Sequence, residues 1–386
     1  MRSALIAGAV RSPIGRRGGV LTGAHAAQLL GAVIGRVLAD TGIPADAVDQ
    51  LLAGCVTQVG DQASNVGRIA WLTAGLPETV PGTTLDAQCG SSHQAVNLGA
   101  ALIGSGAAEV IVACGVELMT RHPLGSNVAP GPGEPMGTVY RTRHEVTTQG
   151  EAAERIADRW GIDRAACDAF AVRSQSLAAQ GWRHERFADE VMVIDEPGDE
   201  PGSRVRADRD EGLRASTLES LATLRPVFRP DGAHTAASSS QISDGAAAVV
   251  LISQEAADRF GLGCTAAITE QCTVGVDPAL KLTGPIPATR QILKRTALRM
   301  GAFDLFEVNE AFASVVLAWQ RELAADPERV NVNGGAIALG HPVGATGARL
   351  CGTAFHALHA RGGGRALVTM CCGGGLGTAS VIEMRA

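Results

Sequence analysis

Short apolar runs alternate with helix-period stretches at both ends of this chain. That rhythm limits the folds open to it more than any other feature. In the first third, SALIAGAV, DQLLAGCV and AEVIVACGV read as strands, and AQLLGAVIGRVLADTG, SNVGRIAWLTAG and SHQAVNLGAALIGSG read as helices. Strands separated by helices predict parallel pairing in a layered α/β fold. The rhythm breaks near residue 120, at the loop HPLGSNVAPGPGEPMG. Two charge-rich amphipathic helices follow, TQGEAAERIADRWG and RAACDAFAVRSQSLAAQGW, and then the polar stretch EVMVIDEPGDEPGSRVRADRDEGLR. This reads as an insertion on the surface of the core, over about residues 120–243. The rhythm then returns: AAAVVLIS and TAAITEQCTVG as strands, PIPATRQILKRTALRMG as a helix, LFEVNEAFASVVLAWQRELAAD as a strand running into a helix.

Composition excludes several classes. A length of 386 residues is ample for a large core. A net charge of −6 and 3% aromatics argue against nucleic-acid binding, which wants basic patches and stacking rings. No apolar run approaches the ~20 residues of a membrane span. The opening MRSALIAGAVRSPIGRR reads as a buried first strand and not a signal peptide. Nine cysteines, an odd number without a regular framework, fit a reducing cytoplasm better than a disulfide scaffold. No C-x-x-C pair occurs, and adjacent Cys371 and Cys372 cannot chelate as a zinc ribbon does, so no metal is expected. The only lysines, Lys281 and Lys294, speak against Schiff-base chemistry, which needs a desolvated amine.

Four segments carry residues of chemical interest. In TLDAQCGSSHQAVNLG, Cys89 stands where a strand gives way to an Ala-rich helix. It is either a small buried hydrophobe or a nucleophile whose thiolate is stabilised by the unpaired N–H groups of the helix start. In NVNGGAIALGHPVGATGAR, His341 is held between Gly340 and Pro342, either exposed in a polar loop or placed for use. RALVTMCCGGGLGTASV runs a strand into Cys371, Cys372 and three glycines, whose N–H groups can form an anion-binding concavity. In LFEVNEAFASVV, Asn309 and Glu310 read as an N-cap and a first-turn acid, a role compatible with a functional one. Both halves thus carry strand, reactive residue and helix in turn, which hints at a duplication. The set suits acyl transfer by a thiol with a base and an oxyanion hole.

DAQCGSSHQAV, VNEAFA, NVNGGAIALGHPVGATGAR and CCGGGLG, in this order, resemble the thiolase family over the whole chain, from VRSPIGRRGG to the last strand. The resemblance implies a duplicated five-layered α-β-α-β-α fold with an inserted loop domain. It implies an N-terminal domain over residues 1–263, with the insertion at about 120–243, and a C-terminal domain over 264–386. It implies that Cys89 becomes acylated, His341 is its base, and Cys371 is the second cysteine that protonates the enolate and activates coenzyme A. Asn309 would hold a water in one oxyanion hole, and the N–H groups of Cys89 and Gly373 would form the other. Ser240 matches a position near the pantetheine arm, and Arg214 one that meets the adenine end. Coenzyme A would be a substrate, with no separate cofactor, and the molecule a homodimer or homotetramer.

The expected activity is that of a degradative 3-ketoacyl-CoA thiolase, with a biosynthetic acetoacetyl-CoA thiolase as the alternative. A decarboxylating ketosynthase lacks the second cysteine, and a binding protein on a decayed fold need not keep every catalytic position. The chain departs from the family pattern at Asp86, Ser92, His93, Gln149 and Cys372. His93 stands four residues after Cys89 and is expected to cap, line the pocket or tune the thiol. Gln149 stands where many members carry a methionine beside the acyl pocket.

Overall fold

The computed structural model describes residues 3–128, 131–263 and 265–385. The first half contributes β1 (Ala4–Arg11), β2 (Gly15–Arg16), β3 (Gln50–Gly54), β4 (Gly82–Leu85), β5 (Val110–Leu118), the small hairpin β6 (Ile194–Pro197) and β7 (Arg204–Ala207), and β8 (Ser243–Ser253). The second contributes β9 (Ala266–Gly275), β10 (Leu305–Val308), β11 (Gly364–Cys372) and β12 (Leu376–Met384). In the first half the order across the sheet is β4-β3-β5-β8-β1, parallel from β4 to β5 and antiparallel from β5 to β1. In the second it is β10-β11-β12-β9, parallel at the first pairing and antiparallel after it, with a parallel bridge from Phe306 to Val330 standing in for the outermost strand. The two orders and senses coincide. The duplication hinted at by the sequence is therefore a repeat of topology. The halves join edge to edge where Ala4–Ile6 pairs with Ala266–Ile268.

The expectation of parallel pairing holds for only part of each sheet. Cys372 pairs with Leu376 across the glycine turn 373–375, and strands joined by so short a turn must run antiparallel. The same turn locates the insertion. Residues 119–242 link β5 to β8, the position that three glycines occupy between β11 and β12. The inserted segment is more than a surface feature. Its helices Gln149–Arg159 and Arg164–Arg183 bury Ala153, Ile156 and Phe170 with Ile286, Val315 and Trp319 of the second half. Its polar stretch forms the β6–β7 hairpin, which buries Ile194 and Val205 against the first half.

Layers follow from which faces are apolar. Helix Ala26–Thr41 repeats Leu30, Val33, Ile34 and Val37 along one stripe, ends at Gly42 with φ of 68°, and packs with Trp71 over the outer face of the first sheet. Helices Pro285–Thr296 and Ala313–Leu323 cover the outer face of the second. Between the sheets lie Ser91–Ser105 and Thr346–Ala360, in a core that draws Ile6, Ile111 and Val249 from one sheet and Val368, Met370 and Ile382 from the other. These central helices touch through small residues. Ser92 Oγ accepts a 3.0 Å bond from Ala348 N–H, and a β-carbon on Gly347 would lie 2.1 Å from the His93 nitrogen. The result is five layers, α-β-α-β-α, with the ends of β4, β10 and β11 turned toward one site.

Candidate active site

β4 ends at Leu85, and the chain turns sharply before helix Ser91–Ser105 begins. Gln88 N–H donates to Asp86 Oδ1 (2.6 Å), Ala87 N–H donates to Ser91 Oγ (2.9 Å), and Ser91 Oγ donates to the Gln88 carbonyl (2.6 Å). Gln88 takes the left-handed conformation with φ of 54°. Cys89 thus projects from the turn two residues ahead of the helix, half-buried against Val56, Met119 and Val343. Gly90 is required here, because a β-carbon would lie 2.5 Å from Cys372 Sγ.

The backbone N–H groups of Gly373 and of Cys89 itself lie near enough to the Cys89 sulfur to favour its ionised form. The family resemblance assigns these two groups to an oxyanion hole. They do not make a resting thiolate. Burial outweighs them, the carboxylates of Glu117 and Asp86 act in the same direction as burial, and the thiol is pushed up to about 11. The sequence-based expectation of a thiolate held ready by the helix start is corrected accordingly.

His341 enters from the second half. Gly340, with φ of 115°, precedes it, and Ser243 Oγ accepts from its backbone N–H (3.1 Å). The loop beyond presses into the first half, where a β-carbon on Gly344 would lie 2.5 Å from the Val116 carbonyl oxygen. The imidazole is 4% exposed. Its Nδ1 lies 2.7 Å from Thr346 Oγ1, whose own hydroxyl donates to the Pro342 carbonyl (2.8 Å). Thr346 can then only accept from the ring, so the proton sits on Nδ1 and Nε2 keeps its lone pair. Burial, with the charge of Arg349 added, holds the imidazole down at about 3, so it is neutral.

Asn309 follows β10. Its N–H donates to the Thr369 carbonyl (3.0 Å), its Nδ2 faces His341 Nε2 at 3.4 Å, and its buried Oδ1 has no hydrogen-bond partner among the described residues. It is not an N-cap, because the following helix starts at Ala313 with Phe312 as its cap. Glu310 is likewise outside that helix. It accepts from Ser174 Oγ (2.6 Å), Asn331 Nδ2 (2.8 Å) and Ile337 N–H (3.1 Å), tying the insertion to the segment before His341.

Adjacent on β11, Cys371 and Cys372 face opposite sides. Cys372 joins the central core against Gly90, and Cys371 joins the outer core. Burial raises the Cys371 thiol well above the ordinary range, and Cys89 is near enough to act electrostatically on both Cys371 and Cys372. Gly373 opens the turn. A β-carbon there would lie 2.8 Å from Gln88 Oε1 and 3.3 Å from Gln149 Nε2, which puts both amides at the mouth beside Gly373.

Ser240 and Arg214 lie together at the edge of this arrangement. Ser240 is half-buried and donates its N–H to the Ala311 carbonyl (3.0 Å), two residues from Asn309. Arg214 is exposed, and its guanidinium donates to Gln241 Oε1 (3.0 Å), next to Ser240. His93 neither caps the helix nor touches the sulfur. It is fully buried, and its nitrogens lie 2.8 Å from Thr378 Oγ1 and 2.8 Å from Ser380 Oγ, which fastens the central helix to β12. The sequence reading missed Thr346, the residue that fixes the tautomer, and the carboxylate of Glu117. Thr346 stands within GHPVGATGAR, but nothing in the pattern separates it from the other small residues there. Among the described residues no group of three or more His, Cys, Asp or Glu side chains is placed to hold a metal ion, and no helix is long and apolar enough to cross a membrane.

Comparison with known proteins places the chain. The steroid 3-ketoacyl-CoA thiolase FadA6 of Mycobacterium tuberculosis is 44% identical, over 99% of this chain and 94% of that protein. The beta-ketoadipyl-CoA thiolase of Pseudomonas knackmussii is 42% identical over 99% of each. The crystal structure of the Bacillus anthracis acetyl-CoA acetyltransferase aligns with a TM-score of 0.91 at 38% identity, covering 100% of this chain and 99% of that one. Fold and relatives define an acyltransferase enzyme built on a duplicated α/β core. Residues 4–255 match the thiolase N-terminal domain and residues 262–384 the thiolase C-terminal domain, and the chain belongs to the thiolase family.

Proposed function

We propose that this thiolase is degradative: it cleaves a 3-ketoacyl-CoA with coenzyme A into acetyl-CoA and a shortened acyl-CoA. The observation that carries the reading is the buried neutral imidazole, whose proton on Nδ1 leaves an unprotonated Nε2 facing Asn309 Nδ2 at 3.4 Å, together with the backbone N–H groups of Gly373 and Cys89 that favour the ionised sulfur. Cys89 attacks the keto carbon while its proton passes to His341 Nε2. Because thiol and imidazole are both neutral at rest, transfer accompanies attack and does not precede it. The alkoxide forms where donors converge, the C2–C3 bond breaks, and its electron pair becomes the enolate of acetyl-CoA. Cys371 protonates that carbon. Its thiolate then takes the proton of an incoming coenzyme A thiol, which attacks the acyl-cysteine. Collapse expels the Cys89 thiolate, which recovers its proton from His341. Asn309, with an unsatisfied buried oxygen, is suited to hold a water beside the imidazole. Ser240 and Arg214, side by side at the rim, are the candidate contacts for the pantetheine arm and the adenine end.

We assign the N-terminal domain to residues 1–263 and the C-terminal domain to 264–386, in a cytoplasmic homo-oligomer. Two similar proteins named for steroid and beta-ketoadipyl thioesters support a degradative role. The likeness to an acetyl-CoA acetyltransferase keeps a biosynthetic reading in play. The deciding experiment is coenzyme-A-dependent cleavage of 3-ketoacyl-CoA esters from four carbons to long-chain and ring-bearing, followed at the enolate absorbance. Cleavage of medium, long or ring-bearing esters is expected. Turnover confined to acetoacetyl-CoA moves the assignment to the biosynthetic enzyme.

A further inference from the structure

The two elements that carry Asn309 and Thr346 also carry a second pair, which the mechanism above does not use. Two residues before Asn309, Glu307 on β10 is fully buried. Three residues after Thr346, Arg349 on the central helix is 2% exposed. Arg349 Nη1 lies 3.8 Å from a Glu307 carboxylate oxygen. Neither oxygen of Glu307, and none of the three guanidinium nitrogens of Arg349, has a hydrogen-bond partner among the described residues.

The surrounding charges are otherwise engaged. Glu190 is held by Arg11 and by Thr353 Oγ1, Asp210 takes a bidentate pair from Arg11 at 2.7 and 2.9 Å, and Glu310 accepts the three bonds described above. Glu307 is the carboxylate left to answer Arg349. A buried ion pair of this kind adds little net stability over an apolar pair of similar size, and breaking it by removing one partner leaves a costly lone charge.

We propose that Arg349 and Glu307 are positioning residues, an internal clamp that fixes the strand leading to Asn309 against the helix bearing Thr346 and sets a positive charge behind His341. The inference rests on His341 acting as the base. The groups acting on Arg349 are Glu307 of β10, Glu310 just beyond it, Glu190 of the insertion and Arg11 of β1. Arg349 in turn disfavours the protonated form of His341.

The test uses the full chain with Arg349→Met, Arg349→Lys and Glu307→Gln, measuring kcat, KM and the acid limb of kcat/KM against pH. Arg349→Met is expected to move the acid limb upward by about one pH unit and to lower kcat by ~10–100-fold with little change in KM. Arg349→Lys keeps the charge and loses the fork, so kcat falls while the limb stays. Glu307→Gln keeps the size of a carboxyl that burial pushes up to about 8, so it changes no charge on the acid limb and is expected never to move the limb upward. A limb unmoved in Arg349→Met, or moved upward alike by Arg349→Met and Glu307→Gln, overturns the clamp. Should Arg349→Met fail to fold, an Arg349→Lys enzyme with parental kcat overturns it instead. His341→Asn is run alongside. Loss of turnover there with an unmoved limb in Arg349→Met overturns the clamp alone, whereas retained turnover in His341→Asn overturns the base assignment as well.

Discussion

Thr346→Val tests the tautomer argument at a single atom. Valine keeps the shape of threonine and removes the hydroxyl that accepts from His341 Nδ1–H and donates to the Pro342 carbonyl. In the resting enzyme the loss strands the buried Nδ1–H, which costs about 1–3 kcal/mol of stability, while the Pro342 carbonyl keeps the N–H groups of Ala345 and residue 346 (3.0 Å each). In the transition state the cost rises. In the proposed mechanism Nε2 takes the Cys89 proton, the ring becomes an imidazolium, and its bond to Thr346 changes from a neutral one worth ~0.5–1.5 kcal/mol to a charged one worth ~1.5–3 kcal/mol. That increment of about 1–1.5 kcal/mol is specific to the transition state and corresponds to roughly a tenfold loss of kcat. Without its acceptor the ring is also free to place its proton on Nε2, where it cannot act as a base, so tenfold is the lower bound. Thermal denaturation and steady-state thiolysis of Thr346→Val and Thr346→Ser separate the two effects. Serine keeps the hydroxyl and is expected to retain most of the rate. Parental kcat in Thr346→Val, at whatever stability, would refute the assignment of the proton to Nδ1.

Four further outcomes are expected. Gly347→Ala places a β-carbon 2.1 Å from the His93 nitrogen and wedges the central helices apart, so denaturant titration should show a loss of at least ~1–3 kcal/mol, with activity falling as well. Gly35→Ala, inside helix Ala26–Thr41 with no atom within 4 Å of the added carbon, should instead gain ~0.5–1 kcal/mol. His93 and His341 are both held near 3 by burial, against an unfolded value of ~6.5, so the unfolded state binds more protons between those values. Their stabilising effect is complete above pH 6.5 and lost as pH falls toward 3, by roughly 2 kcal/mol each at pH 5, and His93→Gln should flatten that dependence in urea titrations from pH 7 to 5. Cys371→Ala should abolish thiolysis and Cys372→Ala should not, since the proposed mechanism uses Cys371 alone and the two thiols face different cores; comparable losses in both would refute the separation of the two thiols.

The parts of the site legible in the sequence were those with unusual local chemistry. A histidine between glycine and proline, a cysteine at a strand–helix boundary and a cysteine before three glycines each stand out within a dozen residues. Partnerships across long separations did not. Nothing near His93 announces that Thr378 and Ser380 will receive its nitrogens, and nothing near Thr346 announces that it will orient a ring. The elevated thiol of Cys89 escaped for a related reason. A helix start argues for stabilising N–H groups, but burial and the carboxylates of Glu117 and Asp86 come from folding as a whole, and they win. In the fold, alternation revealed the layers but not the pairing sense, which a three-glycine turn decides in one half and a long insertion hides in the other.

That asymmetry explains why a repeated architecture yields one site and not two. Where β11 passes to β12 through Gly373–Gly375, the turn is tight, and the Gly373 N–H and the Cys371 thiol lie near enough to Cys89 to interact with it electrostatically. At the matching position in the first half, between β5 and β8, the chain departs for the whole insertion. β5 there ends near a buried carboxylate, Glu117, which accepts from Val56 N–H and Thr57 N–H (2.9 Å each) and from Gln62 Nε2 (2.8 Å). The first half therefore places Cys89 beyond β4 and a hydrogen-bonded carboxylate at the end of β5, and the second places Asn309 beyond β10 and the glycine turn beyond β11. The insertion then returns across the second half with its helices packed over that outer core and its Ser174 on Glu310. Loop geometry at one repeated connection, short in one copy and long in the other, thus sets apart the half that holds Cys89 from the half that, in the proposed mechanism, operates on it.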